Sequence, residues 1–221
     1  MTALLLWGKM STRFVPRLRT SALVGLALLA TSCTDTEEGS AGPATSEAIS
    51  TVESRGSERG VSDPLDVSPY LSKPCGLVSA EMLDELGTSL QESEPRLPEN
   101  DKIAAQSGPY CSWSGEREGS ISVAVASKNS ERGMGGLRGL EALRDQGRFS
   151  LWDETSVSGY PAVYLGVTDD RARGDCDLAV GIADDMTFSV TAISFYDNPQ
   201  RACEVASEVA ADVIRTLKGG R

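Results

Sequence analysis

The chain has 221 residues, with 21 lysines and arginines against 32 aspartates and glutamates, a net charge of −11 and no histidine at all. That balance repels phosphate backbones and anionic lipid headgroups, which sets nucleic acid aside as a partner. The missing imidazole removes histidine-dependent triads, histidine metal ligands and the commonest general base in one step.

The first element in chain order is an apolar run, Ser21 to Ala30, behind a positive segment with Arg13, Arg17 and Arg19. It is far below the roughly 20 apolar residues needed to span a bilayer, so it reads as a cleaved signal. Thr31, Ser32 and Cys33 follow, and then an acidic polar stretch. Small residues before a cysteine are what a bacterial lipoprotein signal presents, and residues 1–32 are assigned to that signal with Cys33 as the lipid attachment site. An ordinary secretory signal cut near Ala30, or an uncleaved anchor, is the plain alternative. Met10, followed by Ser11-Thr12-Arg13, starts a better-proportioned signal than Met1 does. A diacylglyceryl group on Cys33 supplies the two or more chains that stable anchoring takes. The expected location is therefore the cell membrane, lipid-anchored, facing outside the cytoplasm. Loss of residues 1–32 takes away four basic and no acidic residues and moves the net charge from −11 to −15.

Residues 33–64 are mostly Ser, Thr, Gly, Glu, Ala and Pro, with Ile49, Val52 and Val61 as the larger aliphatics. Such a stretch buries too little to offset its ordering entropy and reads as a stalk. Residues 65–218 suffice for one domain of ordinary size. Within it Ser79 can cap a short helix from Ala80 to Leu86 that stops at Gly87. Cys111 to Ser114 and Ser120 to Ala126 alternate with period two, a hairpin through residues 115–119. Leu137, Leu140 and Leu143 give one apolar edge to a middle helix ending near Gly147, and Tyr160 to Val167 is a further strand. Cys176 to Ile182 and Thr187 to Phe195 flank an Ala183 to Met186 turn and read as a second hairpin. A last helix follows Asn198-Pro199, with Ala202, Ala206, Val209, Val213 and Leu217 on one face. Helix, two strands, helix, three or four strands, helix, with short links, predicts an α+β fold. Its antiparallel sheet has about five or six strands and is covered on one side by helices.

Four cysteines lie in this domain, and an even count in an exported chain reads as two disulfides, for which arithmetic leaves three connectivities. The second hairpin returns its chain to where Cys176 began, and the helix that starts there carries Cys203 near its first turn. Cys176 pairs with Cys203 on that geometry, leaving Cys75 for Cys111.

Several segments taken together resemble one family: Pro74-Cys75-Gly76-Leu77-Val78-Ser79, Cys111-x-Trp113, Gly159-Tyr160-Pro161-Ala162, Cys176-x-Leu178-x-Val180 and Cys203-x-x-Ala206-x-x-Val209-Ala210. They are similar to the domain-of-unknown-function 3558 family of actinobacterial lipoproteins, over about residues 70–218. The resemblance implies a secreted, lipid-anchored, disulfide-bonded domain whose activity has no established description. Ala30 departs from the usual residue at its place in the lipobox. Analogy with similar small envelope domains points to binding rather than catalysis.

Catalytic chemistry is thin. With the domain cysteines oxidised, an enzyme would need paired carboxylates or a Ser-Lys arrangement. Asp169-Asp170, Asp184-Asp185 and Asp175 with Asp177 are the candidates, and each reads more simply as turn or strand-edge residues. Asp169, Asp170 and Asp175 offer oxygen ligands without EF-hand spacing, so no metal and no cofactor is expected. Gly133, Gly135, Gly136 and Gly139 superficially resemble a phosphate-cradling loop, but Arg138 falls where the dinucleotide motif has its last glycine, and a flexible start to the middle helix is the expectation. Trp113, Tyr164, Phe188 and Phe195 read as core. The function expected is a binding or sensing module for an envelope ligand or partner protein. The alternative is a hydrolase of envelope glycans or peptides with two carboxyl groups about 5 to 9.5 Å apart in a cleft.

Overall fold

Runs of β-branched and small residues, spaced by turns, form six strands in the computed structural model, which describes residues 60–87, 94–114 and 119–219. The strands are β1 (Tyr110–Ser114), β2 (Ser120–Val125), β3 (Leu151–Val157), β4 (Tyr160–Gly166), β5 (Cys176–Ala183) and β6 (Met186–Ile193). They make one antiparallel sheet in the order β1-β2-β6-β5-β4-β3. Three sequence-local hairpins are thus joined side by side, and β1 and β3 form the two edges. The helices are α1 (Ala80–Glu85), α2 (Lys102–Ser107), α3 (Ser127–Glu131), α4 (Gly136–Asp145) and α5 (Pro199–Leu217). The α+β antiparallel architecture expected from the sequence is the one found.

One face of the sheet is closed by α5. Alternation puts Ile121, Val123 and Val125, then Phe188 and Val190, then Leu178, Val180 and Ile182 on that side, all buried. Ala202, Ala206 and Ala210 share the helix face with Val205, Val209, Val213 and Ile214. These alanines let the helix lie close to the strands while the valines fill the grooves between side chains. Asn198 stands at the helix N-cap without a side-chain capping bond, and Pro199 takes the first helical position, where its missing N–H costs nothing.

Helices cover both faces, not one. Leu137 of α4 packs on Val163 and Ala179, which neighbour α5-facing residues in their strands and so point the other way. Leu137 is buried and Leu140 half-buried, but Leu143 is 40% exposed. The reason is rotation: six residues along an α-helix leave Leu143 roughly 120° round from Leu137, off the apolar stripe.

The start of α4 is held tight. A Cβ on Gly135 would stand 1.8 Å from the Asp185 carbonyl oxygen, and one on Gly136, where φ is +70°, would stand 2.1 Å from that of Asp184. Glycine here permits close approach of two backbones rather than flexibility. The surface met at this helix start is carbonyl oxygen, which suits no phosphate.

Both disulfides are formed, Cys75 with Cys111 and Cys176 with Cys203. The first ties a 3-10 turn over Pro74–Leu77 to β1, and the second ties the first turn of α5 to the start of β5. Residues 60–64, read from the sequence as the end of the stalk, lie against the sheet. Val61 N–H donates to Asp184 Oδ1 at 3.2 Å, and Tyr160 OH donates to the Asp63 carbonyl at 2.9 Å. Leu65 N–H reaches the Ile182 carbonyl at 2.9 Å. The signal segment, Cys33 and the stalk up to residue 59 lie outside the described residues, as do residues 115–118 of the first hairpin's connection.

Candidate functional site

Because α4 has only ten residues and one buried leucine, it leaves open space on either side of itself. Between α4 and the β3–β4 hairpin is a cleft of about 370 Å3, lined by Leu137, Trp152, Glu154, Ser156, Pro161 and Val163 among others. The β3–β4 register explains this lining: Trp152, Glu154 and Ser156 stand opposite Leu165, Val163 and Pro161, so polar and aromatic groups of the edge strand face an apolar floor. Trp152 Nε1 donates to Glu154 Oε1 at 3.1 Å, and the Arg144 guanidinium lies 4.8 Å from the Trp152 ring centre. Phe149 completes the aromatic cluster at 5.9 Å.

On the other side of α4, facing the β5–β6 turn, is a groove of about 450 Å3. Met134 and Leu143, which are 57% and 40% exposed, line it with Arg138, Gln146, Asp184 and Asp185. Apolar walls with a few converging polar groups are how binding clefts are usually built. The spacing of the leucines puts Leu143 on the apolar edge of the middle helix, and nothing in the sequence singles out Trp152 or Met134. The available signal was weak: one tryptophan in a strand too polar to be read as a strand.

The carboxylates considered for catalysis are spread over loops and strand edges and serve local structure. Asp169 holds Arg171 at 2.8 Å, and the hydrogen bonds from Arg171 keep its carboxyl below the ordinary carboxylate range. Asp170 pairs with Arg173 at 2.8 Å and accepts from Thr168. Asp175 accepts from Ser194 N–H at 2.8 Å. Asp184 holds Val61, and Asp185 accepts from Ser130 Oγ at 2.8 Å. Among the described residues, no group of three or more carboxylate or cysteine side chains is arranged to hold a metal ion.

Asp177 differs from these. It is exposed as a residue, yet its carboxyl lies close enough to the sheet to be desolvated, and that desolvation, first, pushes its pKa up; the charges of Asp175 and Asp170 add to it, against a hydrogen bond from Thr191 Oγ1 at 2.5 Å. A carboxyl whose pKa is raised by folding destabilises the fold above that pKa and is relieved as pH falls towards the unfolded value. Asp177→Asn keeps an acceptor for Thr191 and removes the charge, so its urea midpoint at pH 7 should lie above that of the parent chain, with the difference shrinking as the pH is lowered. A lower midpoint at pH 7 would show that the ionised carboxylate is stabilising.

The family described as Protein of unknown function (DUF3558) matches residues 28–216, most of the chain. The chain belongs to this family. Its match takes in both disulfides, the whole sheet and nearly all of α5, so the two clefts beside α4 lie within the DUF3558 domain. No curated protein matches the chain.

Proposed function

We propose that this DUF3558 protein is a lipoprotein acylated on Cys33 and exposed outside the cytoplasm, whose domain is a non-enzymatic binding or sensing module for an envelope ligand or partner protein. The observation that carries this reading is the pair of clefts flanking α4, each with apolar walls and a few polar groups, set on a sheet whose candidate carboxylates, Asp177 on β5 excepted, are committed to turns and loop caps. Two disulfides support the location, since such bonds persist in oxidising compartments. No helix among the described residues is long and apolar enough to cross a membrane, and a lipid on Cys33 supplies the attachment in this reading. The hydrolase alternative calls for a facing carboxylate pair in a cleft, whereas among the described residues Glu154 is the one acid lining the cleft beside β3 and is engaged by Trp152, and Asp184 and Asp185 in the other groove are engaged by Val61 N–H and Ser130 Oγ.

The test is to take the protein from its native membrane and record intact and native mass spectra. The expected result is a diacylglyceryl-modified chain beginning at Cys33, with two disulfides and a stoichiometric companion. An unmodified chain retaining residues before Cys33 would overturn the anchor. A bare domain that turns over an envelope substrate, and loses that turnover on one carboxylate-to-amide change, would overturn the binding reading.

A further inference from the structure

We propose that the cleft beside β3 is taken by this chain's own segment Arg55-Gly56-Ser57-Glu58-Arg59, and that any other ligand of this cleft has to displace it. The inference sets how the site is regulated and rests on the binding reading above only for the displacement.

The path of the backbone leads there. Followed back towards the N-terminus, Leu65 is fixed to the Ile182 carbonyl, Asp63 to the Tyr160 hydroxyl and Val61 to Asp184 Oδ1. Val61 lines a recess with Leu137, Glu141, Pro161 and Gly181, and Gly60 already belongs to the wall of the 370 Å3 cleft, with Leu137, Trp152, Glu154 and Pro161. Successive contacts thus carry the chain from β5 to the cleft beside β3, and Arg59 is covalently bound to a residue of its wall. A segment joined to its site with no intervening linker has an effective concentration in the millimolar range or above, which a second copy or a separate peptide has to exceed.

Charge matches the segment to the cleft. Residues 33–64 hold seven acidic residues and two basic ones, and both basic residues, Arg55 and Arg59, fall in the five positions before Gly60. The charged groups they meet there are carboxylates, Glu154 on the cleft wall and Glu141 in the adjoining recess. Arg144, the cation stacked on Trp152, is shared between Asp145 at 2.9 Å and Glu154 at 3.6 Å, so one guanidinium serves two acids and the wall keeps a negative excess. An arginine from the segment offsets that excess next to the apolar floor, where solvent screens a charge pair less than on open surface. Alternation sets Arg55, Ser57 and Arg59 on one side of an extended run, and its five residues reach about 17 Å, within the roughly 23 Å length of β3.

The test uses the full chain with the photo-crosslinker benzoylphenylalanine in place of Ser57. The expected product is a crosslink within one chain to residues 152–163. Arg59→Glu should lower its yield about threefold to fivefold, and Glu154→Lys added to the same chain should restore it. Acrylamide quenching of tryptophan emission reads the cover directly in a chain with Trp7→Phe, because Trp113 is only 4% exposed and Trp152 lines the cleft. Quenching should rise with Arg59→Glu and fall back with the added Glu154→Lys. Crosslinks to other parts of the domain or to a second chain overturn the proposal. A yield indifferent to Arg59→Glu also overturns it, as does unchanged quenching, which would show that the segment passes the cleft without filling it. Neither readout involves an external companion, so a failure here leaves the binding reading to the native mass spectrum, and a failure there leaves the seated segment standing.

Discussion

Replacing Cys176 and Cys203 together by alanine should lower the free energy of unfolding by about 3.5 kcal/mol, read from urea denaturation of the oxidised protein. The bond closes a sequence separation of 27 residues that contains β6 and the whole β5–β6 hairpin turn. Opening it restores conformations to the unfolded chain that the intact loop forbids, and the loop-entropy relation gives that figure for a loop of this size. The native state loses less, because Cys176 is already surrounded by the sheet and α5 remains seated through Val205, Val209 and Val213. Against a typical total of about 5 to 15 kcal/mol the loss is a large share, and the variant should remain folded at 25 °C but melt at a clearly lower temperature.

The signature that separates this cause from simple damage to the core is the denaturant slope. A longer open chain exposes more surface on unfolding, so the m-value should rise as the midpoint falls. A falling midpoint with an unchanged or reduced m-value would mean that the loss came from packing around Cys176 instead. The Cys75–Cys111 bond, with a separation of 36, should act similarly, and the chain lacking both bonds should show no cooperative transition at 37 °C.

That pairing was readable from sequence because it follows from local geometry: a hairpin returns to its own start, and a proline-initiated helix begins there. The two long hairpin strands and α5 were readable for a similar reason, since Ile121, Val123 and Val125, or Ala202, Ala206 and Val209, repeat with the period of their element. What could not be read depended on the far side of the sheet. The outermost strand β3 has four exposed residues in a row, so no alternation marks it, and its identity as a strand comes from β4 alone. The five- and six-residue helices α2 and α3 are too short to show a period; α2 is started by Asp101, whose carboxylate accepts from the N–H groups of Ile103 and Ala104. The placement of α4 on the opposite face hangs on Leu137 meeting Val163 and Ala179, a contact that neither segment announces. Since both clefts are made by α4, the candidate site was hidden with it.

The same limit conceals a buried polar side chain whose loss should be costly. Asp212 sits on the apolar face of α5 between Val209 and Val213 and is 1% exposed, a position where sequence reasoning expects a hydrophobe. Its partner is 133 residues earlier: Ser79 donates its backbone N–H to Asp212 Oδ2 at 2.7 Å and its hydroxyl to Oδ1 at 3.0 Å. Ser79 Oγ in turn accepts from Met82 N–H at 3.2 Å, so it caps α1 while Asp212 holds the cap. Arg215 donates to the same carboxylate from the exposed side. Asp212→Ala removes the acceptor for all three donors and leaves the half-buried N–H and O–H donors of Ser79 without an acceptor, a loss of about 3 kcal/mol by equilibrium denaturation. Asp212→Asn keeps one acceptor oxygen but turns an NH2 towards a donor, and should cost about 1 to 2 kcal/mol. Arg215→Ala should cost less than about 1 kcal/mol, because that side chain is 62% exposed and its ion pair is screened. This order of effects identifies the clasp as a hydrogen-bonded junction between α1 and α5. If Arg215→Ala proved as damaging as Asp212→Ala, the ion pair would be the stabilising element. A double-mutant cycle between Ser79 and Asp212, with a coupling of at least about 1 kcal/mol, decides the matter directly.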